Sequence, residues 1–261
     1  MIDTGIDPDH PDLNVSGWVE YDADGSLVSD DVSDASDGNG HGTHVAGTVA
    51  GGNASGTAIG VAPDASLHGV KVFDDDGTNA TFARVTAGME HVTQDPDVDV
   101  LQMSLGADGY FADFIEPVRN ARGAGKIVVV SSGNSGYGNS SSPANVYDSL
   151  AVGAVDDSRG IADFSGGETI DTSNAWDGNA PTDWPDEYVV PDVSAPGVNV
   201  YSAEPGSTHG YKSGTSMAAP HVSGVAALML SASTQERSDD ELYDTLRNTA
   251  NHPEDATEPD T

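Results

Sequence analysis

The sequence predicts an α/β domain built on a mostly parallel central sheet flanked by helices. Three observations point there. Short apolar runs of strand length alternate with segments of helical length, the arrangement of successive βαβ units. Polar residues capable of chemistry stand just after several of those runs, at the sheet edge where parallel α/β folds place their ligands. The hydrophobic 36% of these 261 residues is gathered in blocks, which suffices for one large core. One domain is expected over residues 1–250, with 251–261 an acidic tail or linker, and no internal repeat is visible.

Charge sets the next bounds. Forty-three acidic residues (43) against 9 basic ones give a formal net charge of −34. Nucleic acid and anionic membrane surfaces are recognised through Lys and Arg, so both are disfavoured as partners. The carboxylates gather in loops and flanks (Asp22 to Asp37, Asp74 to Asp76, Glu236 to Glu241) while the Val, Ile, Leu and Ala blocks stay intact. That distribution favours a folded domain over a disordered chain. Self-repulsion on such a surface is relieved by counter-ions, so adaptation to high salt is expected. Without cysteine there is no disulfide, thiol nucleophile or zinc-thiolate site. No run reaches the length of a membrane span.

Taken in order, Met1 to Asp7 reads as the tail of a strand with Asp3 at its C-terminal edge. The rest of that strand, and any export signal, are expected to lie outside these residues. Asp3-Thr4-Gly5 is also the tripeptide of aspartic peptidases, which need two carboxylates sharing a site. The nearest second copy, Asp171-Thr172-Ser173, lacks the glycine, so that chemistry is disfavoured. Residues 15–40 read as a polar, Asp-rich region. Its Asp22-Ala23-Asp24-Gly25 fits a calcium loop or a solvated loop, the latter being favoured in so acidic a chain.

Small residues recur through His41 to Gly51, as in a tightly packed helix. His41 and His44 could together ligate a metal, yet the H-E-x-x-H pattern with its general-base Glu is absent. Alternatively one is a general base and the other a buried structural histidine; His41, at the helix start, is the more reachable. Strands are expected at 65–73, 98–104, 126–132, 150–155 and 198–202, with helices at 82–92 and 111–124 between them. The third of these strands runs into Gly133-Asn134, whose amide could donate into a site at the sheet edge or simply shape a turn. Residues 166–187, with Trp176 and Trp184, read as a surface insertion, and an acidic helix is expected near 239–247.

Between them stands Ser213 to His221, where glycine and small hydroxyl residues lead into an apolar run ending at Leu230. This reads as a tight turn opening a buried helix with Ser216 in its first turn. A serine there lies beside unpaired backbone N–H groups and the positive end of the helix dipole. The place suits a nucleophile that develops an adjacent oxyanion, and it also suits an ordinary helix cap. Asp3, His41 and Ser216 together supply a carboxylate, a base and a nucleophile for acyl transfer. Their chain order, Asp then His then Ser, differs from that of the α/β-hydrolases and of the chymotrypsin type.

At these residues the sequence resembles the subtilisin-like (subtilase) serine peptidases. Asp3-Thr4-Gly5, His41-Gly42-Thr43-His44-Val45-Ala46-Gly47-Thr48 and Gly214-Thr215-Ser216-Met217-Ala218-Ala219-Pro220-His221-Val222 resemble the family's three motifs. Gly60-Val61-Ala62-Pro63, Met103-Ser104-Leu105-Gly106 and Ala195-Pro196-Gly197 extend the likeness over nearly the whole chain. With the acidic composition, the character is similar to the halolysins, secreted peptidases of halophilic archaea.

The resemblance implies a three-layer subtilisin-like fold and a secreted, extracellular endopeptidase of broad specificity, with polypeptides as its only partners and a monomer expected. It implies Ser216 as nucleophile, His41 as general base and Asp3 as its orienting carboxylate. The Ser216 N–H and the Asn134 side chain would bind the oxyanion. Ser104, Leu105 and Gly106 would form the edge along which a substrate strand lies, and Ser132 and Gly133 would wall the first side-chain pocket. No cofactor is required for the chemistry. The loop 51–59 is similar in length to a calcium-binding loop of that family. It is rich in Gly, Ala and Ser, with Asn53 its obvious side-chain amide, so a structural calcium is not favoured. Residues that precede the first motif in the family, and a propeptide, are not in this sequence, and an inactive peptide-binding domain is the alternative function.

Overall fold

A computed structural model of the chain describes residues 1–233 and 239–251. The strands are β1 (Ile2–Asp3), β2 (Val15–Tyr21), β3 (Leu27–Ser29), β4 (Leu67–Lys71), β5 (Val100–Met103), β6 (Ala107–Asp108) and β7 (Ile127–Ser131). They continue with β8 (Ser141–Ser142), β9 (Leu150–Val155), β10 (Glu168–Asp171), β11 (Glu187–Val190), β12 (Val193–Pro196), β13 (Val200–Glu204) and β14 (Thr208–Lys212). The helices are α1 (His41–Ala50), α2 (Phe82–Gln94), α3 (Ile115–Gly123), α4 (Thr172–Ala175), α5 (Thr215–Ala232) and α6 (Asp239–Thr249).

Eight strands form the central sheet in the order β12-β9-β7-β5-β1-β4-β2-β3. Every neighbouring pair runs parallel except β2 with β3 at the edge. Helices α1 and α5 cover one face and α2 and α3 the other, giving three layers. The alternation within β7 shows why a continuous apolar run was needed there. Val128 and Val130 enter the core under α2 and α3, whereas Ile127 and Val129 enter the core under α5. All four are at most 1% exposed, so each side chain is stabilised by about 1.5–3 kcal/mol relative to exposure. A strand coated on both faces has no polar side to display.

Two expectations are corrected. Residues 15–40 are not wholly a polar loop, because β2 and β3 lie within them and Trp18 and Val19 are buried. The Asp-rich turn joining the two strands hides them: Asp22 Oδ1 accepts the N–H groups of Asp24 and Ser26, a hairpin role. Nor is 166–187 wholly a surface insertion. Trp176 and Trp184 are 2% and 7% exposed and meet edge to face, with ring centroids 5.4 Å apart. Their indole N–H groups donate to Tyr188 Oη and Asp148 Oδ2, which lets large rings enter the core without an unpaired donor. The expected tail falls mostly at 252–261, outside the described residues. No helix among the described residues is long and apolar enough to cross a membrane.

Candidate active site

The chemistry-bearing residues gather at the C-terminal edge of the sheet. Asp3 ends β1, Ser104 to Gly106 follow β5, and Ser132 to Asn134 follow β7. Helices α1 and α5 open at the same edge, bringing His41 and Ser216 in their first turns.

Close backbone contact joins the Asp3 loop to α1. A Cβ on Gly42 would lie 2.1 Å from the Gly5 carbonyl oxygen, and one on Gly5 (φ +131°) would lie 1.9 Å from the Ser36 carbonyl oxygen. Only glycine fits either place. Asp37, which the motifs do not include, ties this junction together. Its Oδ1 accepts from Thr4 Oγ1, Asn39 N and Gly40 N, and its Oδ2 from Thr43 N and Oγ1. The helix's own N-cap, Gly40, has no side chain to offer, so the first N–H groups are met from outside: His41 N by Asn39 Oδ1, Gly42 N by Thr4 Oγ1 and Thr43 N by Asp37 Oδ2. An aspartate four residues before a helix start was the available signal.

Asp3 is 1% exposed and accepts at Oδ1 from the Thr4 N–H and from His41 Nδ1, both at 2.7 Å. With Nδ1–H committed to the carboxylate, Nε2 is the nitrogen left to accept a proton. Burial alone would lower the His41 pKa. The charge and hydrogen bond of Asp3, helped by Asp37 and opposed by Lys212, raise it above its ordinary value. His44, one turn deeper, has the opposite fate. Burial takes its pKa down to about 4, and its Nε2 lies 3.0 Å from the Val200 carbonyl. It is a neutral packing residue.

Ser216 is half-buried. Its Oγ donates to the Ser104 carbonyl at 3.3 Å, and among the described residues no hydrogen bond links it to His41. Asn134 is exposed beside it, with Oδ1 accepting from Thr215 N at 2.9 Å and Thr215 Oγ1 at 3.1 Å. Locking the amide oxygen in this way leaves the Nδ2 donors without an acceptor among the described residues. Ser104 is buried, Leu105 half-buried and Gly106 exposed. Ser132 is fully buried, with its hydroxyl spent on the Gly166 carbonyl and its backbone N–H and C=O on Val152 and Ser141, while Gly133 is held by its N–H to Thr215 Oγ1.

A second polar cluster lies among His10, Asp12 and His209, the one group among the described residues with metal-ligand composition. His10 commits both ring nitrogens, Nε2 to the Thr208 carbonyl and Nδ1 to the Asp12 N–H. Asp12 spends Oδ1 on the Ala54 N–H and Oδ2 on His209 Nε2. The loop 51–59 thus turns an N–H donor, not a carbonyl oxygen, toward the carboxylate beside it. Calcium takes oxygen ligands, and both carboxylate oxygens of Asp12 already accept from nitrogen donors.

Against known proteins, residues 1–260 match the profile of the Subtilase family. The chain is 40% identical over 237 residues to Subtilisin DY of Bacillus licheniformis, covering 88% of this chain and 75% of that protein. It is 39% identical over 236 residues to Subtilisin E of Bacillus subtilis (strain 168), covering 88% of this chain and 54% of that protein. It therefore spans about half the length of several curated relatives it matches. Among solved structures, Sphericase superposes with a TM-score of 0.79 at 31% identity, over 95% of this chain and 80% of that one.

Proposed function

The chain belongs to the subtilase family of serine peptidases, and from that premise we propose that it hydrolyses peptide bonds through Ser216, His41 and Asp3. The single observation that carries the reading is the 2.7 Å contact of His41 Nδ1 with buried Asp3, set at the sheet edge where α5 presents Ser216. Ser216 Oγ attacks the scissile carbonyl while His41 Nε2 takes its proton. The new C–O bond gives a tetrahedral oxyanion, held by the Ser216 N–H and Asn134 Nδ2. The C–N bond then breaks as His41 returns the proton to the leaving amine, and water repeats the sequence on the acyl-enzyme. Asp3 holds the imidazole tautomer and stabilises its charged form.

The substrate lies extended along Ser104 to Gly106, so backbone pairing supplies much of its binding and sequence preference is broad. Ser132 and Gly133 wall the first side-chain pocket. The reaction needs no cofactor from this site. The net charge of −34 supports a protein that works in concentrated salt, and the halolysin-like character supports an extracellular location and a monomer.

The test is hydrolysis of casein or a chromogenic peptide in molar salt. Wild type cleaves, whereas Ser216→Ala loses activity by a factor on the order of 10⁴ or more with an unchanged melting temperature. A serine-directed fluorophosphonate separates this from the peptide-binding alternative, since a working site is labelled at Ser216. Equal turnover in wild type and Ser216→Ala would overturn the assignment.

A further inference from the structure

Helix α5 carries a proline, Pro220, four residues after Ser216. In an α-helix the carbonyl of residue i accepts from the N–H of residue i+4, and proline has none. The Ser216 carbonyl is therefore denied that donor. It receives one from another part of the chain: Ser104 Oγ–H donates to it at 2.6 Å.

That hydroxyl is itself oriented. Gln102 Nε2 donates to Ser104 Oγ at 2.6 Å, so the single hydroxyl proton is directed to the Ser216 carbonyl. A carbonyl can only accept, which fixes the polarity of the relay from amide to hydroxyl to carbonyl. In the other direction, Ser216 Oγ–H donates to the Ser104 carbonyl at 3.3 Å. The two serines clasp each other, side chain to main chain. Gln102 and Ser104 are 3% and 5% exposed, and the Gln102 Oε1 is buried with no partner among the described residues. A buried amide with one end unsatisfied is an unfavourable residue for the middle of a sheet. What its other end does is orient Ser104.

We infer that Gln102 and Ser104 are positioning residues for the nucleophile. They replace the hydrogen bond that Pro220 deletes, and so fix the Ser216 carbonyl and, through the Cα next to it, the attacking Oγ and the oxyanion-binding N–H. The inference rests on the reading of Ser216 as the nucleophile, and it assigns the Ser104 side chain a task separate from the substrate edge that its backbone forms.

Three variants test it, with fluorophosphonate labelling of Ser216 and peptide kinetics as readouts. Ser104→Ala should lower kcat and the labelling rate by roughly 10–100-fold with KM within about twofold, because the loss concerns the reacting group and not substrate binding. Ser104→Thr, which keeps a hydroxyl, should retain most of the rate. Pro220→Ala restores an N–H four residues beyond Ser216, so in that background the Ser104→Ala loss should shrink to about threefold or less. Where Ser104→Ala does not fold, Gln102→Leu compared across the two Pro220 backgrounds makes the same distinction. An equal penalty in both backgrounds, or a rise in KM with kcat unchanged, overturns the inference. Failure of wild-type Ser216 to label would instead remove the nucleophile assignment, a result distinct from a labelled wild type whose rate Ser104→Ala leaves untouched.

Discussion

Of the three aspartate–histidine pairs among the described residues, His68 with Asp95 is the loosest at 3.3 Å, and the other two have nearly equal, short separations. His41 Nδ1 lies 2.7 Å from Asp3, and His209 Nε2 lies 2.6 Å from Asp12. In both, the carboxylate is buried and the imidazole partly exposed. Their surroundings differ. Neither His41 Nε2 nor His209 Nδ1 has a hydrogen-bond partner among the described residues, but the His41 ring stands at the sheet edge where α5 also opens. His209 is stacked on Tyr201 and meets His10 edge-on, while the second oxygen of Asp12 is held by Ala54. A short Asp–His contact is thus not in itself a catalytic device. What separates the two is whether the imidazole shares its edge of the sheet with a hydroxyl with which it could exchange a proton.

The strongest way to break this contrast is to neutralise each carboxylate in turn. Asp3→Asn should lower kcat by about 10⁴ with the fold retained, since the amide disturbs the His41 tautomer and removes the charge that stabilises its protonated form. A loss of less than tenfold in single-turnover kinetics would make the first pair as structural as the second. Next in size is Asn134→Ala, which should cost about 10²–10³ in kcat with KM little changed. A pure KM effect would move Asn134 from the oxyanion site to substrate binding.

A pH series sharpens the comparison further. Because Asp3 raises the His41 pKa above 6.5, kcat/KM should fall as pH drops through a value above 6.5, where the base becomes protonated. The sign for stability is opposite. The imidazolium–carboxylate pair stabilises the fold fully below the unfolded-state pKa of about 6.5, and that contribution is lost as pH rises through the folded-state value. An NMR titration of the His41 ring should show its midpoint moving down in Asp3→Asn, and a midpoint that stays put would separate the shift from Asp3. The smallest activity change belongs to Asp12→Asn, expected to leave kcat/KM within about twofold while lowering stability by about 2 kcal/mol. A melting curve and one kinetic run check both.

The sequence exposes some of this far better than the rest. Asp3, His41 and Ser216 each stand within a contiguous motif, and the apolar strands around them announce their burial by composition alone. The strand–helix alternation likewise carries the parallel sheet. Relations between distant segments are hidden. The Asp12–His209 contact joins residues 197 apart, and the Ser104 hydroxyl finds the Ser216 carbonyl across 112. Gln102 reads locally as a stray polar residue in a strand. Trp176 and Trp184 lie among Asp, Asn, Gly and Pro, so their neighbourhood looks solvated, yet ring packing and paired indole N–H groups bury them. Strand β2 is missed for a similar reason, since its polar edge and Asp-rich turn blur the period-two pattern.

The placement of β1 has a consequence for time. Asp3 precedes its sheet neighbours in the chain, yet its strand lies in the interior of the sheet, between partners from 67–71 and 100–103. The serine arrives only with residue 216, on a helix packed across strands from much of the chain. Such long-range pairings are formed slowly, because each closes a large loop before its contacts reward it. Asp3 and His41 therefore precede Ser216, the proposed nucleophile, by most of the central sheet. On the proposed triad, cleaving power would wait for the segment around residue 216, made after every strand of the central sheet.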